Sequence, residues 1–405
     1  MYLRIFAPEE GSQRQQGGGN FPGSPIQSSA TLWRPALCCI YNWLNETCPS
    51  IMIPGELPLW NPPATNRQLK ADKGKYFRDL NAARHPIYPM EPAVQAVLQQ
   101  SAEFDTKNLD IFACSKTLEN LLQFIRGSDK CFRFIVSRVG NTIFLIRREN
   151  SPTELISDIR GYGHTFPEVY TTWGKSVAES ESHQRIVTYK FGGLNFLVRF
   201  GSDGYIREKD IRTEPLKPDQ SVDDLASILE GPPPRRISER FHIETGGRLV
   251  PQDNALASQV PTLVVAYHEY GVFNDIRIQD MKEPILQWER DNEGLLRKFV
   301  WLMNEITEYA KTSQTALEIC YSVDGNLEVR RLPKEKFEAL PAELQDRWIT
   351  VGSGSEERTS DLGEREEDFN EEQSDNERLD DDSSSSKDYT ACSAEDCGYC
   401  GHCTY

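Results

Sequence analysis

The chain ends in four thiols within twelve residues, Cys392, Cys397, Cys400 and Cys403, the last three at two-residue spacing. Thiolates at that spacing can surround one tetrahedral zinc, and Gly398 and Gly401 allow the tight turns that a knuckle needs. Glu395 and Asp396 oppose thiolate formation, and so short a knuckle lacks a second pair of partners, so zinc and a metal-free reduced terminus weigh evenly. A second set lies in Leu197-Val-Arg-Phe-Gly-Ser-Asp203-Gly-Tyr-Ile206. An acid closing an apolar strand is where metal-dependent nucleases place a Mg²⁺ ligand, although Asp203-Gly204 also reads as a turn. A third set is Gly161-Tyr-Gly-His164-Thr-Phe-Pro-Glu168, followed by His183 and Arg185. His164, Glu168 and His183 suit acid/base work; Arg160, His164 and Arg185 suit an anion; a hydrogen-bonded structural histidine suits the same residues.

These residues need elements to hold them. Glu91 to Phe104 has helical spacing at Val94, Val97 and Leu98, and Ser115 reads as the N-cap of a helix bearing Leu118, Leu121, Leu122 and Ile125. Cys131 to Arg148 alternates about Gly140-Asn141, and Ile186–Tyr189 and Leu194–Phe200 flank Gly192-Gly193, so two hairpins are predicted. The amphipathic stretch 291–312 predicts a long helix, and Leu317–Val323 with Leu327–Leu332 a last hairpin at Asp324-Gly325. Residues 213–236 read as a polar loop with one short helix, Val222 to Leu229. The fold class is α+β: a central mixed sheet built from hairpins, with flanking helices. It is expected over 32–350, after a disordered leader (1–31) and before a disordered acidic linker (351–390) and the cysteine knuckle (391–405).

Charge sets further bounds. Glu356 to Asp388 holds 15 acids and 4 bases, too few apolar residues to offset the entropy of ordering. Up to residue 352 the chain has 45 acids against 41 bases, so the net charge of -17 belongs mostly to the tail. A near-neutral body offers no general electrostatic grip on nucleic acid, though a local basic patch would suffice for one, and the tail suits an unknown protein partner. No apolar run of about 18 residues exists, so no membrane span is expected. Cys38, Cys39, Cys48, Cys114, Cys131 and Cys320 show no disulfide framework, which implies reduced thiols in an intracellular, cytoplasmic or nuclear, protein. The P-loop, dinucleotide, nucleophile-elbow and zincin motifs are absent, and so is Asp-Asp-x-x-Asp.

Tyr41-Asn-Trp-Leu44, Ile53-Pro-Gly55, Trp60-Asn-Pro-Pro63, Gly161-Tyr-Gly-His164, Tyr189-Lys-Phe-Gly-Gly-Leu194 and Thr390-Ala-Cys-Ser-Ala-Glu-Asp-Cys-Gly-Tyr-Cys400 resemble a group of filamentous-fungal proteins often labelled geranylgeranyl pyrophosphate synthetase. Prenyl transfer would need two aspartate clusters on facing helices, which this chain lacks. Members of the group resemble PD-(D/E)XK nucleases and the decapping-exonuclease family, with a Glu-x-Asp strand and a later Glu-x-Lys strand. The resemblance implies carboxylates that hold divalent metal and a lysine that positions water. In this chain Gly201 stands at the first Glu, leaving Asp203, and between Thr245 and His268 there is no Glu or Lys. A break near Leu256-Ala257 would remove that segment and a core strand with it, leaving a restriction-endonuclease-like core incomplete and Mg²⁺ without its site.

The reading that follows is a catalytically dead nuclease-like domain acting as a binding or scaffold module. Two others stand beside it. One is an active enzyme centred on His164, Glu168, His183 and Asp203; the other is an interaction protein working through its acidic tail and cysteine knuckle.

Overall fold

A computed structural model describes residues 3–6, 36–207 except 102, 103, 158 and 160, residues 237–245, and 262–351 except 323–325 and 334–336. The short helix read at Val222–Leu229, the break at Leu256-Ala257, the acidic linker and Cys392, Cys397, Cys400 and Cys403 lie outside the described residues. Among the described residues no helix is long and apolar enough to cross a membrane.

Sixteen strands are described, in two sheets. The larger has ten: β1 (Leu3–Phe6), β2 (Ala36–Leu44), β3 (Ile51–Met52), β5 (Ile111–Cys114), β6 (Phe132–Val139), β7 (Thr142–Arg148), β9 (Ser180–Phe191), β10 (Leu194–Ser202), β15 (Leu317–Tyr321) and β16 (Asn326–Arg331). Their order is β1-β16-β15-β6-β7-β5-β10-β9-β2-β3. Only β5 pairs in parallel, with β7 on one side and β10 on the other. The smaller sheet runs β14-β13-β12-β11-β4-β8, from β4 (Leu59–Trp60), β8 (Thr171–Thr172), β11 (Gly204–Ile206), β12 (Ile237–Thr245), β13 (Thr262–Glu269) and β14 (Val272–Asp280). The helices are α1 (Leu80–Arg84), α2 (Glu91–Gln100), α3 (Ser115–Ile125), α4 (Thr165–Tyr170), α5 (Lys282–Asp291), α6 (Glu293–Thr312) and α7 (Ala342–Val351).

Alternation along β10 shows how the large sheet is covered. Phe196, Val198 and Phe200 point into a core with Leu118, Leu121 and Leu122 of α3 and Phe299, Met303 and Ile306 of α6. Leu197 points the other way, to a core with Val94 and Val97 of α2 and Leu344 and Trp348 of α7. Helices on both faces explain why β10 reads as an almost continuous apolar run. The β9–β10 hairpin turns at Gly192 (φ +58°) and Gly193 (φ +86°), as read from the sequence. A Cβ at Gly192 would lie 2.4 Å from Val300 of α6, so the turn seats directly on that helix.

Several boundaries differ from the sequence reading. Ser115 is the first residue of α3, and Cys114 is its N-cap, because β5 runs straight into the helix. Leu3–Phe6, within the segment read as a leader, pairs with β16. Strand β12 takes up Ile237–Thr245, pairing in parallel with β11 and antiparallel with β13.

A candidate site where the two sheets meet

Strand β10 leaves the large sheet at Ser202, and β11 enters the small one at Gly204, so Asp203 is the junction between them. Ser202 faces His183 on β9, and His183 faces Asn42 on β2. Two of the four candidate residues, Asp203 and His183, thus come to adjacent positions on paired strands.

His183 is buried and hydrogen-bonded within the large sheet. Its ring is 1% exposed. Asn42 Nδ2 donates to the Glu56 carbonyl at 2.9 Å and to Ser180 Oγ at 2.8 Å, which leaves Oδ1 as the acceptor facing His183 Nδ1 at 2.6 Å. We therefore assign the proton to Nδ1. Burial, reinforced by Arg185, pushes the His183 pKa down to about 3, so the ring stays neutral near pH 7.

Around Asp203 the strand supplies little for a cation. Arg199 and Gly201 follow Leu197 on the α2/α7 face by alternation. Arg199 is 3% exposed and its Nη1 donates to the Pro89 carbonyl at 3.0 Å. Burial by itself would lower its pKa; Tyr41 and then Asp79 and Cys114 more than offset this and hold it above the usual range, as a fixed positive charge. Tyr41 is anchored in turn, its hydroxyl donating to Asn81 Oδ1 at 2.9 Å beside Trp43 Nε1 at 2.9 Å. Gly201 has room for more: a Cβ there would lie 3.6 Å from Gln184 Nε2 and 3.8 Å from the His183 carbonyl, ordinary contact distances. A divalent ion needs several oxygen ligands, usually two or more carboxylates. Among the described side chains no three of His, Cys, Asp and Glu stand together as a metal would require. Leu194–Ser202 itself supplies no carboxylate, and Asp203 follows directly after it. Parallel register places Glu244 of β12 opposite Tyr205, an acid that the sequence reading, looking only beyond Thr245, passed over.

His164 and Glu168 sit elsewhere. They belong to the start of α4, which leads into edge strand β8, separated from β11 by β4. The His164 ring stacks on Tyr76 with centroids 3.6 Å apart and planes 7° off parallel. Its backbone N–H donates to Asp72 Oδ2 at 3.0 Å, and the N–H and hydroxyl of Thr165 donate to Asp72 Oδ1 at 2.9 and 2.8 Å. Buried Asp72, unmarked by any motif, thus caps the helix that His164 begins. Glu168 is exposed on the outside of α4. His183 and Asp203 thus lie on or beside the β9–β10 pair, and His164 and Glu168 at the start of α4. Of the residues read as suiting an anion, Arg185 is buried, His164 is stacked on Tyr76, and Arg160 lies outside the described residues.

Fold and site together define a two-sheet α+β protein whose inter-sheet junction carries one acid on its central strand. Residues 23–347 match the model of a domain of unknown function, DUF8563, and the chain belongs to that family. No curated protein matches it. Among solved structures it is similar to S. pombe Rai1 in complex with 3′-FADP, at 10% identity and a TM-score of 0.48 over 74% of this chain and 94% of that one. It is also similar to Candida albicans Rai1 in complex with pU5-Mn²⁺, at 9% identity and a TM-score of 0.48, over 82% and 99% of the two chains. K. lactis Dxo1 in complex with manganese is 8% identical, with a TM-score of 0.41 over 78% and 96%. The geranylgeranyl pyrophosphate synthetase label finds no support: the mixed sheets are not the all-helical fold that prenyl transfer uses, and the family carries no assigned function.

Proposed function

We propose that this chain is a nuclease-like domain without metal-dependent hydrolysis, acting as a binding or scaffold module whose protein partner is engaged through the acidic tail. The observation that supports this is the α2/α7 face of β10, where Gly201 offers no ligand and Arg199 places a buried positive charge four residues before Asp203. A fixed guanidinium on that face repels a divalent cation, and one acid on the strand does not replace a carboxylate set. The near-neutral body, with 45 acids against 41 bases up to residue 352, favours a protein partner over non-specific nucleic-acid binding. The test is incubation of the full chain with 5′-phosphorylated pentauridylate and Mn²⁺. No cleavage is expected; cleavage that disappears in Asp203→Ala would overturn the proposal. Loss of the tail beyond residue 352 should abolish partner capture while leaving the melting of the body unchanged.

A further inference from the structure

Strand β2 carries two adjacent cysteines, Cys38 and Cys39. Neighbours in a regular strand point to opposite faces, which keeps adjacent thiols apart. Here the pairing slips: Leu37 faces Val187 and Cys39 faces Ile186, so Cys38 is the extra residue of a β-bulge. Cys39 belongs to the core beneath α2 and α7, and Cys38 packs against that same core. Both thiols therefore lie on one side of the sheet.

The C-terminal end of α2 clamps the bulge. Ser101 Oγ donates to the Cys38 carbonyl at 3.0 Å, and Cys38 Sγ lies 3.8 Å from Ser101 Oγ. Gln100 Nε2 donates to the Ile40 carbonyl at 2.7 Å, and its Oε1 accepts from the Ile40 N–H at 3.3 Å. Cys38 is half-buried, so a reagent can reach it, whereas Cys39 is 2% exposed. The thiol of Cys39 lowers the pKa of Cys38, against burial and with help from Ser101; Cys39 is raised by Cys38 and by burial. Cys38 is thus the first of the two thiols to ionise, and Cys39 gives up its proton only as a shared ligand binds.

Geometry decides what the pair can take. Residues joined by a trans peptide have Cα atoms about 3.8 Å apart, below the roughly 4.4–6.8 Å that disulfides span. A direct sulfur–sulfur bond is therefore disfavoured, and a larger soft atom held between two sulfurs is not. We propose that Cys38 and Cys39 form a two-thiolate site for a trivalent thiophilic metalloid, preset by the bulge and by Gln100 and Ser101. With phenylarsine oxide as probe, two As–S bonds form, and the oxide oxygen leaves as water with the two thiol protons. No electrons are transferred, so no oxidant is needed.

The experiment uses the full chain with Cys392→Ser, Cys397→Ser, Cys400→Ser and Cys403→Ser, which removes the competing C-terminal thiols. Phenylarsine oxide should bind as a single adduct by native mass spectrometry and shield both Cys38 and Cys39 from iodoacetamide in peptide maps. Cys38→Ala should weaken binding by about tenfold or more, because one sulfur loses the chelate gain, with the melting temperature retained. An adduct mapped to other thiols, or affinity unchanged in Cys38→Ala, would overturn the proposal. If Cys38→Ala does not fold, the protection map of the parent chain decides by itself.

Discussion

Asn42 Oδ1 holds His183 Nδ1 at 2.6 Å across paired strands, while the Asn42 amide bridges Ser180 and the Glu56 carbonyl. This pin fixes β2, β9 and the Glu56 loop behind the inter-sheet junction. Asn42→Ala leaves buried polar groups unpaired and should destabilise the chain by about 1–3 kcal/mol. Chemical denaturation of Asn42→Ala against the native chain measures this, and an unchanged midpoint would contradict it.

The same histidine gives stability a pH dependence. With its pKa near 3 when folded and 6.5 when not, the unfolded chain binds the extra proton between those limits. Stability from this group therefore falls as pH drops through that window, by at most about 1.4 kcal/mol per unit. His183→Gln should flatten the fall in melting temperature between pH 7 and pH 5. Parallel curves for the two chains would rule the assignment out.

Glu289 on α5 works in the opposite sense. It is 8% exposed, and burial pushes its carboxyl up to about 7, partly opposed by Arg290. Across the window from about 4.5 to about 7 the folded state keeps a proton that the unfolded state has lost, so stability falls as pH rises. Glu289→Gln removes that cost and should raise the melting temperature at pH 8 while changing little at pH 4. A lower melting temperature at pH 8 would show that the ionised group is instead stabilised.

Glu318 lies between two guanidiniums on the large sheet, 3.0 Å from Arg148 and 3.7 Å from Arg330, and is 5% exposed. Removing a buried partner costs more than the pair contributes net, so Glu318→Ala should lose about 3–5 kcal/mol. Urea unfolding of that variant reads the loss directly; a change under about 1 kcal/mol would place Glu318 among ordinary exposed pairs.

How much of this was legible in the sequence depends on what each element packs against. Hairpins with glycine turns, such as Gly140-Asn141 and Gly192-Gly193, were read correctly because turn chemistry and alternation agree. The long helix read over 291–312 is α6, with Leu296, Phe299, Val300, Leu302, Met303 and Ile306 buried and Leu295 at the edge. Strand β5 was missed because its four residues, buried throughout, show no alternation. The β13–β14 hairpin was missed because its turn uses Tyr270 at φ +51° before Gly271, not a familiar turn pair. Helix α5 was missed because its apolar residues are sparse beside Glu283, Glu289 and Arg290. The roles of His183 and His164 hang on Asn42, Tyr76 and Asp72, which lie 141, 88 and 92 positions away in the chain. Short motifs carry no signal at such separations.

Gly201 gives the most direct test of the central claim. Its backbone angle requires no glycine, and a Cβ there would meet only ordinary contacts with Gln184 and the His183 carbonyl. Titration calorimetry of Mn²⁺ should give the same weak heats for the native chain and for Asp203→Ala, while Gly201→Glu should gain a binding event that Asp203→Ala removes. A native chain that already binds Mn²⁺ stoichiometrically, and loses it in Asp203→Ala, would contradict the claim.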